Sequence, residues 1–489
     1  LAMAPLNLWF ALFVTLGVLY ACVARAENKK QSFAYGWLFG FGYFLVGLFW
    51  IQNALLVEGN PYAWAWPLAV CGLPFLLAFF YGFATLFAAR ISNLKTISGY
   101  VAFAASLALF EWLRGHIFTG FPWNLMGYSW IEILPVIQIT SVGSIYTLTW
   151  LTILWGGVGG FIFVQDGGFK SRIILPVIFL VSFAGVYGYG AQRLSNYTPT
   201  YHDNVNIKII QPNIAQHEKW DGTKMAAHFF KHIRLSYPDD AADKFTYIIW
   251  PETALSYLYA QDKTSMGVLG QMLSSYDQGA VLITGMLRRL PDVAGYANSI
   301  VMIDENGIIS NAYDKSHLVP FGEYIPFQKW IPLETVSRFS GFIEGTGPQS
   351  FEAPQSLRYS PLICYESIFS GKAISPREDA PDFIVNATND GWYGFSAAPH
   401  QHFTQTIFRA VEEGVPLVRS ANTGISGLIG PMGRIIAKTG LFTDASDTVP
   451  LPKKLVSEPK SATIKAFIFM LLIAASLSVQ AINRFLKNV

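Results

Sequence analysis

Charge is what this sequence has least of. Only 13% of its 489 residues are Asp, Glu, Lys or Arg, against 52% hydrophobic, where a soluble globular chain carries about 25% charged residues. An ordinary soluble protein is thereby excluded, and the chain reads as a membrane protein. The net charge of +2 is too small and too evenly spread to favour nucleic acid or another polyanion. Cysteine is nearly as scarce. Of the three, Cys22 and Cys71 lie inside long apolar runs, so Cys364 has no disulfide partner. There is no Cys/His cluster of zinc spacing and no phosphate-cradling Gly loop, so neither a metal nor another cofactor is expected.

What the chain does have is long apolar runs, unevenly placed. Stretches able to cross about 30 Å of hydrocarbon occur near residues 4 to 24, 34 to 56, 64 to 89, 97 to 113, 138 to 165, 173 to 192 and 464 to 484. The expected organisation is a helix bundle over 1–194, a large extramembrane domain over 195–460, and a returning helix with its tail over 461–489. Arg25, Lys29, Lys30, Arg90, Lys95, Lys170 and Arg172 fall in the odd-numbered connections, which places those connections in the cytoplasm and the large domain on the opposite face. The same parity puts Leu1 outside. Because residue 1 is not Met, a further N-terminal helix is expected upstream.

The large domain alternates short β-like runs with helical spacing. Runs at 205–214, 245–253, 280–286, 298–304, 360–366, 382–390 and 416–424 are rich in Ile, Val, Tyr and Phe, and segments 223–236, 263–277 and 400–413 between them suit helices. Such alternation predicts an α/β sandwich. Three strand ends carry reactive side chains: Glu252 in "IIWPETA", Lys315 in "AYDKSH" and Cys364 in "LICYES". A carboxylate that takes the thiol proton and a cation that stabilises negative charge make a cysteine a nucleophile. Each residue also has a plain reading: a packed small hydrophobe for Cys364, a helix-capping acid for Glu252, a solvated charge for Lys315.

Context separates the two readings. The ordered strings "WPET", "DKSHLVPFGEYIP", "ICYES", "NATNDGWYG" and "RSANTGISGLIGP" resemble the nitrilase superfamily, whose members use Glu, Lys and Cys in that chain order. With "KWDG" and "RGHIFTGFPWNLMGYSW" added, nearly the whole chain, helices included, resembles the apolipoprotein N-acyltransferase family. The resemblance implies an α-β-β-α sandwich inserted before the last of the membrane helices, which number eight in most members. It makes Cys364 the nucleophile, Glu252 the general base and Lys315 the charge stabiliser, with Trp220, Glu323, Tyr365, Glu366 and Trp392 lining or supporting the site. His116 stands where a bulky apolar residue is frequent, and an interfacial role is expected for it.

The implied reaction is ping-pong acyl transfer at the bacterial inner membrane, with the catalytic domain in the periplasm. An acyl chain passes from a phospholipid donor, expected to be phosphatidylethanolamine at sn-1, to Cys364 as a thioester. It then passes to the α-amino group of a diacylated apolipoprotein acceptor. The chain is expected to work as a monomer. Because both substrates sit in lipid, Phe327, Trp330, Phe339 and Phe342, scattered among charges in 325–345, suit an interfacial lid. Two alternatives stay open: a membrane-tethered amidase hydrolysing a small amide, and a transporter, which the near absence of charge within the helices disfavours.

Overall fold

The computed structural model describes residues 1–166, 168–290, 295–326, 341–375, 380–456 and 461–488, with backbone alone at 171 and 480–488. The chain divides into two compact units. One comprises Leu1–Gln52, Ala65–Tyr197 and Lys460–Val489; the other comprises Asn53–Trp64 and Thr198–Pro459. Residues 53–64, which in the sequence divide between the ends of two expected spans and the connection joining them, therefore cluster with the second unit.

The first unit is helical. Among the described residues, four helices are long and apolar enough to cross a membrane: Ala63–Ile91, Thr140–Val164, Arg172–Ser195 and Ala462–Val479. Other expected spans are also helical but shorter or more polar. Ala11–Ala24 has 14 residues, Lys29–Gly47 opens on two lysines, and Ile97–Arg114 ends in Glu111 and Arg114. That last pair is fully buried, with Arg114 Nη2 donating to Glu111 Oε2 at 2.6 Å and Nη1 to the Trp123 carbonyl at 3.0 Å. A charge in an apolar bundle persists when its partner and its remaining hydrogen bonds are supplied in this way. Helix Lys29–Gly47 packs closely on Trp66–Ile91. A Cβ at Gly36 would stand 2.1 Å from Thr85 Oγ1, so the absent side chain lets the helices meet.

The second unit holds two six-stranded sheets. In chain order the strands are β1 (Tyr201–Gln211), β2 (Phe245–Ile249), β3 (Ala280–Arg289), β4 (Tyr296–Ile303), β5 (Ile309–Asp314) and β6 (Phe351–Ala353). Then come β7 (Leu357–Ile363), β8 (Phe383–Thr388), β9 (Leu417–Ala421), β10 (Gly427–Ile429), β11 (Ile435–Lys438) and β12 (Ala445–Pro452). One sheet runs β12-β1-β2-β3-β4-β5, the other β11-β10-β9-β8-β7-β6. The central pairs β1–β2, β2–β3, β7–β8 and β8–β9 are parallel.

Period-two alternation decides which way each strand faces. Ile207, Ile209, Tyr247 and Ile283 point inward to meet Tyr359, Ile363, Phe383 and Val418 of the other sheet. Ile210, Ile248 and Leu282 point outward onto Phe229 and Ile233 of helix Met225–Ser236 and onto Leu269 and Met272 of helix Lys263–Leu273. Helix Ala398–Glu413 packs on β9 and on the turn after β7. The result is a helix-sheet-sheet-helix sandwich. Its parallel strands end together, which brings distant loops to one edge.

Candidate active site

The chain leaves β7 at Ile363 and turns at once into a single 3-10 turn, Cys364–Ile368. Cys364 takes φ of +48°, a left-handed conformation that costs a residue with a Cβ roughly 1–2 kcal/mol. Glu366 holds the turn in place. Its Oε2 accepts from the Ile363 N–H at 2.7 Å, and its Oε1 accepts from the Tyr313 hydroxyl and the Ser316 N–H, both at 2.7 Å, and from the His317 N–H at 3.2 Å. One buried carboxylate thus ties the nucleophile turn to the loop that carries Lys315. Burial raises the Glu366 carboxyl above the usual range despite those hydrogen bonds.

Lys315 follows β5, its N–H bonded to the Asn298 carbonyl at 2.8 Å and its own carbonyl to the Gly345 N–H at 2.8 Å. The buried ammonium donates to Glu323 Oε1 at 2.8 Å and lies 3.9 Å from Glu252 Oε1. Burial opposes its charge, but the two carboxylates outweigh burial and hold it protonated. Glu252 reaches the same spot because β3 lets its loop press close. A Cβ at Gly285 would be 2.6 Å from the Glu252 Cα. Asn298 Nδ2 bridges the carboxylates, 2.7 Å from Glu252 Oε1 and 3.3 Å from Glu323 Oε1. Glu323 Oε2 is taken by the Val319 N–H at 2.8 Å.

Cys364, Glu252 and Lys315 act on one another electrostatically. Burial pushes the Cys364 thiol up to about 12; Glu252 adds to the rise and Lys315 opposes it. The resting sulfur is therefore a neutral thiol whose proton must leave as it attacks. At pH 8, well below that value, the thiolate is a small minority, against about a quarter for a free cysteine of pKa ~8.5. Iodoacetamide labelling of Cys364, followed by peptide mass without lipid present, is expected to rise about tenfold per pH unit from 7 to 10. A plateau below pH 8 would show a preformed thiolate.

Behind the nucleophile lies a network that the sequence did not single out. His402 Nε2 is 3.1 Å from the Cys364 carbonyl and 3.0 Å from Ser367 Oγ, and its Nδ1 is 3.0 Å from Asp390 Oδ1. Arg419 Nη2 donates to Asp390 Oδ2 at 2.7 Å. All three side chains are buried. Burial disfavours a charged Asp390, yet Arg419 and His402 hold its carboxyl down at about 2, while burial and Arg419 lower His402. His402, set against the Asp390–Arg419 ion pair, braces the backbone of the strained residue. Lys219 was missed too: its Nζ donates to the Glu252 carbonyl at 2.8 Å, and burial lowers it to about 8 against the pull of Glu252 and Cys364.

The other expected site residues are more scattered. Tyr365 is buried beside Cys364, its ring 5.7 Å from His317 and 5.1 Å from Phe369. Trp220 follows Lys219 and is 42% exposed. Trp392 is half-buried in the 3-10 turn Asp390–Tyr393. Phe342, half-buried, bridges to Tyr296, and its N–H lies 3.4 Å from the Glu323 carbonyl. Phe327, Trp330 and Phe339 lie outside the described residues.

Comparisons with known proteins cover both units. A family model described as the apolipoprotein N-acyltransferase N-terminal domain matches residues 1–158, and a carbon-nitrogen hydrolase model matches 207–455. A relative from Rhodopseudomonas palustris, named apolipoprotein N-acyltransferase, is 36% identical over 97% of this chain and 92% of its own. Relatives of the same name from Agrobacterium fabrum and Rhizobium meliloti are 38% and 34% identical, over 89% and 100% of this chain and 84% and 94% of theirs.

Proposed function

The chain belongs to the apolipoprotein N-acyltransferase family, and from that premise we propose how its buried Cys364, Glu252 and Lys315 carry out the transfer. The protein is a membrane-embedded acyltransferase that N-acylates apolipoproteins. The observation carrying the mechanistic reading is the convergence of a neutral thiol, a carboxylate and a buried ammonium at one edge of the sandwich.

In the first half, Cys364 Sγ attacks the ester carbonyl of a glycerophospholipid, phosphatidylethanolamine at sn-1, as Glu252 accepts the thiol proton. The carbonyl oxygen becomes an oxyanion, stabilised by the Lys315 ammonium. Collapse breaks the ester C–O bond, and the glycerol oxygen takes the proton from Glu252 as lysophospholipid leaves. In the second half, the α-amine of the acceptor's S-diacylglyceryl-cysteine attacks the thioester and gives a proton to Glu252. The thiol leaves reprotonated, and an amide has replaced the thioester.

The domain faces the periplasm of a bacterial inner membrane in this reading, with one copy sufficient for the chemistry. Lys and Arg placement supports the orientation, and both halves of the reaction use groups of a single chain. Hydrolysis of a small amide by the same triad is the competing chemistry.

Incubating the protein with phospholipid labelled on its sn-1 acyl chain should give a hydroxylamine-sensitive mass increase on Cys364. The label should then move to a diacylated lipopeptide. Absence of the adduct, or its survival in Cys364→Ala, would sink the mechanism. Turnover of soluble amides without any transfer from lipid would favour the amidase.

A further inference from the structure

One cavity is lined by none of the three triad residues, and the acyl-transfer steps make no use of it. It encloses about 530 Å³, within the roughly 300–1,000 Å³ of ordinary ligand sites. Its walls come from segments 53–58, 213–217 and 391–395 of the extramembrane unit, with Thr423 and Phe442. Two of these segments lead to the triad. The turn from Ala215 to Lys219 is closed by the Lys219 N–H on the Ala215 carbonyl at 3.1 Å, and Lys219 Nζ then reaches the Glu252 carbonyl. The segment at 391 belongs to the 3-10 turn Asp390–Tyr393, whose Asp390 and Tyr393 both act electrostatically on Cys364.

The chemistry of the lining narrows the ligand. Among the described residues the lining holds no Lys or Arg, with Glu58 its one acid and His217 its one titratable base, so a phosphate headgroup finds no permanent cation to pair with. Half-used amides are what it offers. Asn53 Nδ2 donates to the Tyr393 carbonyl at 2.6 Å, leaving Oδ1 to accept, while Gln216 Oε1 accepts from Asn389 Nδ2 at 2.7 Å, leaving Nε2 to donate. Thr423 is 3% exposed, and its Oγ1 is buried with no partner among the described residues. An orphaned buried hydroxyl in a polar cavity calls for a ligand to satisfy it. Donors and acceptors together suit the alternating N–H and C=O groups of an extended polypeptide. Phe395, 88% exposed, adds an apolar contact, and Glu58 favours a neutral or basic segment over an acidic one.

We propose that this cavity binds the polypeptide immediately following the lipidated cysteine of the acceptor, held extended beside the thioester. The proposal rests on the acyltransferase reading above. It separates recognition of the acceptor's protein part from recognition of its lipid, and it gives residues 53–58 a reason to cluster with the second unit rather than with the expected span at 34–56.

The test compares two acceptors that share the same S-diacylglyceryl-cysteine, one continuing into a neutral peptide of about ten residues and one ending as the cysteine amide. The readout is the ratio of kcat/KM for the longer acceptor to that for the shorter. Wild type is expected to prefer the longer. Gln216→Ala and Thr423→Val should each lower the ratio about fivefold, the size of one lost neutral hydrogen bond. Phe395→Ser, at a position too exposed to disturb folding, should lower it in the same direction. No preference in wild type, or ratios within twofold of wild type in all three variants, would overturn the subsite. If thioester still forms from labelled phospholipid in that case, the acyltransferase mechanism stands and the subsite alone is wrong. If wild type forms no thioester, both fail.

Discussion

Cys364→Ala is expected to reduce lipopeptide N-acylation by about 10⁴-fold or more, because no other group can hold the acyl chain between the two halves. The remaining cysteines are no substitute: Cys22 and Cys71 belong to the helical unit. The loss should be chemical rather than structural. Cys364 contributes only its small side chain to a core built from both sheets, and truncating it to Ala leaves the Glu366 and His402 contacts, which are made with neighbouring backbone atoms. Thermal unfolding should therefore shift by only a few degrees. Cys364→Ser is the sharper comparison. A serine hydroxyl at the same strained φ keeps the geometry but is a far weaker nucleophile, so single-turnover acylation should fall nearly as far as in the alanine variant. Appreciable acylation in either variant would move the nucleophile elsewhere.

The sandwich was legible in the sequence because its strands obey period two and its helices do not. Each of the seven expected runs contains all or part of a strand, from β1 to β9, and helices at 225–236, 263–273 and 398–413 overlap the three expected helical segments. Strands β5, β6, β10, β11 and β12 were not singled out: they are short, exposed or broken by polar residues, as in "SNAYD" and "ASDTVPLP". Glu252 and Cys364 stood out because each follows an apolar run, and Lys315 because it lies in the string "DKSHLVPFGEYIP". Asp390, His402 and Arg419 did not, since each looks like an ordinary polar residue of a turn, a helix and a strand. The parallel alignment of β7, β8 and β9 brings Asp390 and Arg419 under Cys364, and helix Ala398–Glu413 adds His402. Lys219 was hidden in the same way by a polar loop, "HEKWDG". Asn53 was further out of reach, because its partner Tyr393 is 340 residues away.

The site contains two glutamates near one lysine, and their hydrogen bonds assign them different work. Both oxygens of Glu323 are engaged, Oε1 by Lys315 and Oε2 by the Val319 N–H. Among the described residues Glu252 is hydrogen-bonded through Oε1 alone, to Asn298, with Lys315 farther off at 3.9 Å, which leaves Oε2 to take a proton. Glu252→Gln should therefore cost about 10³-fold in the acylation half, the scale of a general base, with little loss of stability, because the amide oxygen can still accept from Asn298. Glu323→Gln should do the reverse. Either its amide NH₂ faces the Val319 N–H, donor to donor, or it turns that NH₂ toward the Lys315 ammonium. Each choice leaves a buried group unsatisfied at about 1–3 kcal/mol, so the melting temperature drops clearly while single-turnover acylation falls by about 10² or less. The pH profiles give a second separation. Without its base, the glutamine variant at 252 depends on thiolate formed by solvent hydroxide. Because the thiol is pushed up to about 12, its acylation rate should climb about tenfold per unit between pH 7 and 10, whereas wild type stays flat over that range. A flat profile for Glu252→Gln, or a steep one for Glu323→Gln alone, would exchange the two assignments.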